Sequence, residues 1–352
     1  MSRLGRDGRR RPTIDDVARS AGVSKGAVSL ALNGRPGVSE ATRGRIVAAA
    51  EALGWRPSAR AKALSESRAL AVGMVVAGAP AALSADPSFA ALLAGVDGEL
   101  ATAGYALVLS VAADAEAELA AYRRLADDGR VDGVLLTGAR ADDPRYALLA
   151  ELGLEAVVVG PANRRAGLPG VAADERAVLR RVVRALVELG HRDIGHVAGP
   201  AALVHAAERQ RAWAAALAAA GLPPGPVADS DLTPTGGARA TRRLLESSRP
   251  PTAIVYADDV MAIAGIRVAR ELELRVPEDL SIVGFGDLPL AAHVDPPLTT
   301  IRSHPVAAGA AAAKLLLQRL RGEPASVPAL PEPELVDRAS MAPAARVPVA
   351  VT

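Results

Sequence analysis

The sequence predicts a small all-α head followed by an α/β core of two lobes, each a doubly wound parallel sheet. Three observations predict it. Residues 13–64 hold closely spaced helix patterns, each with its own start and stop residues. From residue 69 onward, short apolar runs alternate with stretches of helical length, the rhythm of strands covered by helices. That rhythm restarts near residue 174, after four predicted strands, which divides the core in two.

In the head, Thr13 followed three positions later by Asp16 reads as a capping-box start. Helix one is expected to run to about Ser20, with Ile14, Val17, Ala18 and Ala21 on one face. Gly22 permits the tight turn between the helices of a helix-turn-helix. Ser24 caps a second helix over 25–32, which Asn33-Gly34 ends. Ser39 caps a third, in which Ile46, Ala49, Ala50 and Leu53 fall at helical spacing before Gly54. The second helix of such a unit lies in the major groove of DNA and presents its first residues to base edges. Ser24, Lys25, Gly26 and Ala27 are therefore expected at DNA, with Ser29 and Leu30 a turn further on. Lys25 suits either guanine O6/N7 or a phosphate, and Ala27 suits a thymine methyl. Thr13, Ser24, Ser29, Asn33 and Arg43 are expected to contact phosphates, which position the head without reading sequence.

The words T-I-D-D-V-A, A-G-V-S, A-V-S-L-A-L-N, V-S-E-A-T-R and I-x-x-A-A-E-x-L-G-W-x-P resemble the headpiece of the LacI/GalR family of bacterial transcription regulators. Residues 57–64, PSARAKAL, are similar to that family's hinge helix. The resemblance implies that paired hinge helices enter the minor groove. Arg60 and Lys62 would then lie near the backbone, and Leu64 would wedge between base steps. Family members often carry Arg where this chain has Leu30, so one customary base contact is absent and the target sequence is not legible.

Charge is divided along the chain. Residues 1–68 carry 14 Lys and Arg against 6 Asp and Glu, a net +8; the remainder carries 27 against 33, a net −6. A basic head on an acidic body suits a nucleic-acid reader with a separate regulatory domain. The arginine-rich tail, residues 1–11, lacks the apolar stretch of a secretory signal, and no long uninterrupted apolar run suggests a membrane span. There is no cysteine, hence no disulfide or thiolate metal site, which accords with a cytoplasmic, nucleoid-associated protein. The expected organisation is a basic tail at 1–11, a helix-turn-helix domain at 12–56, a hinge helix and linker at 57–68, a core at 69–340 and a tail at 341–352.

Within the core, strands are expected in ALAVGMVVAG (69–78), YALVLSVA, VDGVLLTG and EAVVVG, with helices over 89–103, 115–128 and 144–152. After the restart come helices over 174–189, 206–220, 236–247 and 260–271, with strands in HRDIGHVAG, AIVYADD and LSIVGFGD. PPLTTIRS, a helix over 306–320 and a late strand in PEPELVDRAS complete the core. Lobe one is expected at about 69–172 and 300–325, lobe two at about 173–299 and 326–340. VDGVLL, ELGHRDIGHVAGP, PTAIVYADD, VPEDLSIVGFGD and PPLTTIR resemble phrases of the family's regulatory core, which implies a type I periplasmic-binding-protein fold.

Ligands of open α/β sheets bind beyond the carboxyl ends of the strands. That rule, with two facing lobes, singles out Asp86, Ser88 and Phe89 from the first lobe. From the second it singles out Arg209, Tyr256, Asp258, Phe285 and Asp287. Phe89 suits stacking on a sugar or base, or else a place in the core. Arg209 suits a fork onto ligand oxygens, or else a structural pair with Asp258 or Asp287. The family's V-G-F-D-D reads Val283-Gly284-Phe285-Gly286-Asp287 here, and its A-N-D reads Ala257-Asp258-Asp259, so no particular effector carries over. His191, His196 and His205 lack a metal spacing. No cofactor motif, P-loop or nucleophile elbow appears, so neither a cofactor nor an enzyme activity is expected. The expectation is a homodimeric repressor that binds a palindromic operator in double-stranded DNA and answers to a small-molecule effector, a sugar or related metabolite. An exported solute-binding protein with the same two lobes is the rival reading.

Overall fold

The computed structural model describes residues 12–32, 36–55, 68–77, 87–161 and 167–344. Internal packing divides the chain into two units, residues 1–68 and 69–352.

In the head, α1 (Ile14–Ala21), α2 (Lys25–Leu32) and α3 (Glu40–Ala52) form where their end signals stand. The Asp16 amide donates to Thr13 Oγ1, and Asp16 Oδ2 accepts from the Thr13 amide and hydroxyl, both at 2.8 Å. A cap of this kind contributes about 1 kcal/mol. Gly22 takes φ +64°, and its amide with that of Val23 closes the helix on Ala18 and Arg19 carbonyls. The Ala27 amide donates to Ser24 Oγ at 3.1 Å, starting α2. Val17, Ala18, Ala21, Val28, Ala31, Ile46 and Ala50 form the core, with Val23 and Trp55 packed at its edge.

The core unit contains two sheets. In the first lobe, β1 (Ala71–Ala77), β2 (Ala106–Ala112), β3 (Gly133–Leu136), β4 (Glu155–Val159) and β5 (Gly170–Val171) are all parallel, in the order β2-β1-β3-β4-β5. Alternate residues face opposite sides of a strand. Val75, Val134, Leu136 and Val158 therefore pack under α5 (Ala115–Asp127) and α6 (Pro144–Glu151). Met74, Leu135 and Val157 pack under α4 (Pro87–Thr102) and, from far along the chain, α11 (Pro305–Leu320). The α4–α11 pair is held close by two glycines. A Cβ on Gly309 would stand 2.3 Å from the Leu92 carbonyl oxygen, and one on Gly95 would meet Val306.

The second lobe orders its strands β11-β10-β9-β8-β6-β7. These are β6 (Ile194–Ala198), β7 (Val227–Asp229), β8 (Ala253–Tyr256), β9 (Ser281–Gly286), β10 (Thr299–Arg302) and β11 (Glu334–Val336). All neighbours run parallel except β10 and β11. One face packs on α7 (Arg176–Glu188) and α8 (Val204–Ala219), the other on α9 (Pro234–Leu245) and α10 (Asp259–Glu271). The three-residue β7, between prolines, and the two-residue β5 are too short to show a pattern in the sequence, and both escaped prediction. The chain crosses between lobes after β5, after β10 and after α11. Since β10 lies wholly in the second sheet, lobe one regains the chain after Arg302 rather than at residue 300. Residues 341–344, expected to be part of a tail, continue the second lobe: the Ala344 amide donates to Leu189 and the Ala342 amide to Ser281 Oγ.

The lobes also meet at a seam. The Val204 amide, at the start of α8, donates to the Ala139 carbonyl at 2.9 Å, and Arg140 forms a single bridge with Leu203. The loop on the first-lobe side is held by Arg145, which is buried. Its guanidinium donates to Thr137 and Gly138 carbonyls, to both oxygens of Asp143 and, at 2.8 Å, to Glu118 Oε1.

Candidate functional site

The head presents the first turn of α2 to solvent: Ser24, Lys25 and Gly26 are exposed, while Ala27, Ser29 and Leu30 are partly covered. Lys25 Nζ lies 3.2 Å from Asp15, an exposed pair that leaves the ammonium available to a phosphate or base at little cost. Thr13, expected at phosphate, has its hydroxyl engaged in the capping box. Arg43, also expected at phosphate, reaches back instead and donates to the Ala31 carbonyl at 2.5 Å, closing the end of α2. That bond arises because the last carbonyls of a helix lack partners within it. Asn33, Arg60, Lys62 and Leu64 lie outside the described residues, as does Asp86 of the expected cleft set.

In the core, a cavity of about 980 Å³ opens between the lobes at the carboxyl ends of the strands. It is walled by Val159 and Gly160 after β4, by the crossing 171–176, by one face of α8 and by the crossing at Ser303–Pro305. Arg209 is one of the residues that line it. It reaches the cavity because α8 packs on the face of the sheet to which Val283 and Phe285 point. Its guanidinium stands 3.5 Å over the Phe285 ring, and its Nη1 donates to the Ala257 carbonyl at 2.8 Å. Nε and Nη2 fork onto the Glu175 carboxylate at 2.8 and 2.7 Å. The structural partner of Arg209 is thus Glu175, not Asp258 or Asp287. The acid lies 34 positions away in the crossing after β5, and the only sequence signal for it was the acid-rich A-A-D-E-R entering α7.

His205, one turn before Arg209, also lines the cavity. Burial, helped by the nearby Arg209 charge, pushes its imidazole down to about 4, so it is neutral at pH 7. Sequence reasoning considered this histidine only as a metal ligand.

The other expected cleft residues are dispersed by the fold. Tyr256 is fully buried and its hydroxyl bonds Thr241 Oγ1 at 2.8 Å. It sits on β8 at the parity facing α9 and α10, away from Arg209, and so cannot hold an effector through its side chain. Asp287 has both oxygens occupied: Oδ2 accepts from Arg302 Nε at 2.7 Å, and Oδ1 from Arg338 at 2.5 Å. Burial would raise its pKa, but these hydrogen bonds outweigh it and hold the carboxyl below its usual range. It staples the ends of β9, β10 and β11 together. Asp258 caps α10 by accepting from the Val260 amide at 2.7 Å. Phe89 is half-buried against the first-lobe core, with Ser88 beside it at the start of α4. Phe285 is buried and reaches the cavity only through Arg209.

A helix-turn-helix head on a two-lobed core with a cleft at the strand ends defines the class of ligand-responsive DNA-binding proteins. Comparison with known proteins makes the assignment specific. Residues 13–58 match the family "Bacterial regulatory proteins, lacI family", and residues 183–341 match the "Periplasmic binding protein-like domain". The HTH-type transcriptional regulator CelR of Thermobifida fusca is 36% identical over 324 residues, covering 90% of this chain and 94% of that one. A solved CelR–cellobiose complex has a TM-score of 0.71 at 34% identity, covering 94% of this chain and all of the other. The lac repressor dimer bound to operator and the anti-inducer ONPF has a TM-score of 0.79 at 27% identity, covering 95% of this chain and all of the other. The chain belongs to the lacI family of bacterial transcriptional regulators, a family of DNA-binding proteins and not of enzymes. No described helix is long and apolar enough to cross a membrane.

Proposed function

We propose that this regulator is a cytoplasmic, homodimeric repressor that binds a palindromic operator and is controlled by a sugar or related metabolite in the interlobe cavity. The observation that carries the reading is the pairing, on one chain, of an exposed α2 first turn with a cavity lined by Arg209. The CelR–cellobiose and lac repressor–operator structures support the sugar and the operator, respectively. A two-fold operator calls for a two-fold protein. The first lobe offers a surface for a second copy: β2 is an edge strand, and Leu109 and Val111 on it are 42% and 53% exposed.

In this reading Ser24, Lys25, Gly26, Ala27, Ser29 and Leu30 face the major groove, Asn33 the phosphates, and Arg60, Lys62 and Leu64 the minor groove, while Thr13 and Arg43 serve the head by closing the ends of α1 and α2. The effector binds the two arrangements of the lobes with different affinity, which is the condition for any regulation. Selection of bound duplexes from a random pool, followed by release assays with cellobiose and a panel of other sugars, tests it. The expected result is enrichment of a two-fold symmetric sequence whose binding one sugar class alters. Binding without preference for any symmetric duplex overturns it.

A further inference from the structure

We propose that Glu175 sets the specificity of the cavity: by neutralising Arg209 it restricts the site to uncharged polyhydroxyl ligands and rejects phosphorylated or carboxylated ones. This rests on the reading of the cavity as the effector site and adds the charge class of the effector.

Arg209 is the least exposed of the four arginines that line the cavity, and three of its five N–H donors are engaged. Two nitrogens fork onto Glu175, a third meets the Ala257 carbonyl, and one face lies on the Phe285 ring. A fork of this type is the geometry by which arginine would otherwise take a carboxylate or phosphate of a ligand. An anionic ligand that takes this fork has to displace Glu175, and one that meets the remaining Nη1/Nη2 end has to sit beside the Glu175 carboxylate. Only 11% of the Arg209 side chain and 25% of the Glu175 side chain is exposed, so water screens that conflict poorly.

The rest of the lining carries Arg176, Arg180 and Arg211 against Asp174 and Glu208. Arg176 is paired with Asp174 at 2.7 Å, and Glu208 stands beside Arg211 at 3.9 Å. Arg180, the remaining cation of the lining, stands on α7 and is exposed, so water screens its charge. His205 is neutral and offers one donor and one acceptor, which suits a hydroxyl. A sugar hydroxyl can donate to a Glu175 oxygen and accept from His205 without disturbing the ion pair.

The test compares wild type, Glu175→Gln and the charge-conserving Glu175→Asp. Calorimetry measures affinity for cellobiose, maltose and lactose and for the corresponding aldonic acids, and thermal shift is measured with inorganic phosphate alone. Wild type and Glu175→Asp should prefer the neutral sugar by at least about tenfold. Glu175→Gln should lose that preference and gain stabilisation by phosphate that wild type lacks. Wild type binding the acids as tightly as the neutral sugars overturns this inference and leaves the effector site standing. Should no sugar or acid bind any variant, the effector reading fails, and the phosphate arm still decides. Phosphate stabilising only Glu175→Gln supports the neutralised arginine, and phosphate stabilising all variants or none overturns it.

Discussion

The two lobes share an architecture but handle buried polarity in opposite ways. The first buries a full ionic knot, Arg145 with Asp143 and Glu118, each 6% exposed or less. The second, besides the Asp259 carboxyl, whose pKa burial raises, and the Asp287–Arg338 pair at its strand ends, buries neutral groups. His191 donates from Nε2 to the Ala342 carbonyl and accepts at Nδ1 from Thr252, and His196 donates from Nδ1 to the Val255 carbonyl at 2.7 Å while stacking on Trp213. Tyr256 pairs with Thr241. All five histidines of the chain lie beyond residue 190. A charge knot is insensitive to pH until carboxylates protonate, whereas buried neutral imidazoles lose stability as soon as the unfolded chain begins to take up protons. The deepest polar cluster of the first lobe is therefore charge-paired, whereas the buried imidazoles and phenol of the second are kept neutral.

The sharpest way to break the contrast is Arg145→Met. It leaves two buried carboxylates unpaired and should destabilise the first lobe by about 3–5 kcal/mol, read as a separate early transition in urea. A single unshifted transition would remove the knot as the first lobe's keystone. Next comes acid. Burial lowers the folded-state pKa of His196 from 6.5 to about 4, so the stability it reflects is complete above pH 6.5 and is lost as pH falls toward 4. That loss is on the order of 3 kcal/mol. His191 is shifted in the same direction by burial. The Tm should decline between pH 6.5 and 4, with hydrogen exchange rising first in the second lobe; a level Tm over that range contradicts the assignment. The smallest effect is Tyr256→Phe, which removes one buried hydrogen bond and should cost about 1 kcal/mol. Because Tyr256 faces α9 and α10, effector affinity should stay unchanged, and a large loss of effector binding would return this residue to the cleft.

The same contrast explains what could be read from the chain. In the head, cap, turn and helix lie within a few residues of one another, so Thr13, Gly22, Ser24 and Ser39 announced all three helices. The long strands of the core were legible as apolar runs, and the crossing of α11 back to the first lobe followed from the resemblance. The site was only partly legible. Arg209 emerged from the rule that places ligands beyond the strand ends, but its partner Glu175 did not, because a contact between a crossing and a helix leaves no local spacing. Tyr256 was misplaced because A-I-V-Y is apolar at every position, so neither face of the strand is marked. Asp287 was assigned to the ligand because Arg302 and Arg338, which hold it, arrive on later strands.

The seam between the lobes has an energetic consequence. Among the described residues, the seam holds an amide-to-carbonyl bond between Val204 and Ala139 and a neighbouring bridge between Arg140 and Leu203. A bond of that kind adds a net of about 0.5–1.5 kcal/mol, whereas a micromolar ligand releases about 8 kcal/mol. For any ligand of the cavity, only the difference between its affinities for two dispositions of the halves counts, and a difference larger than this bond's contribution outweighs the bond.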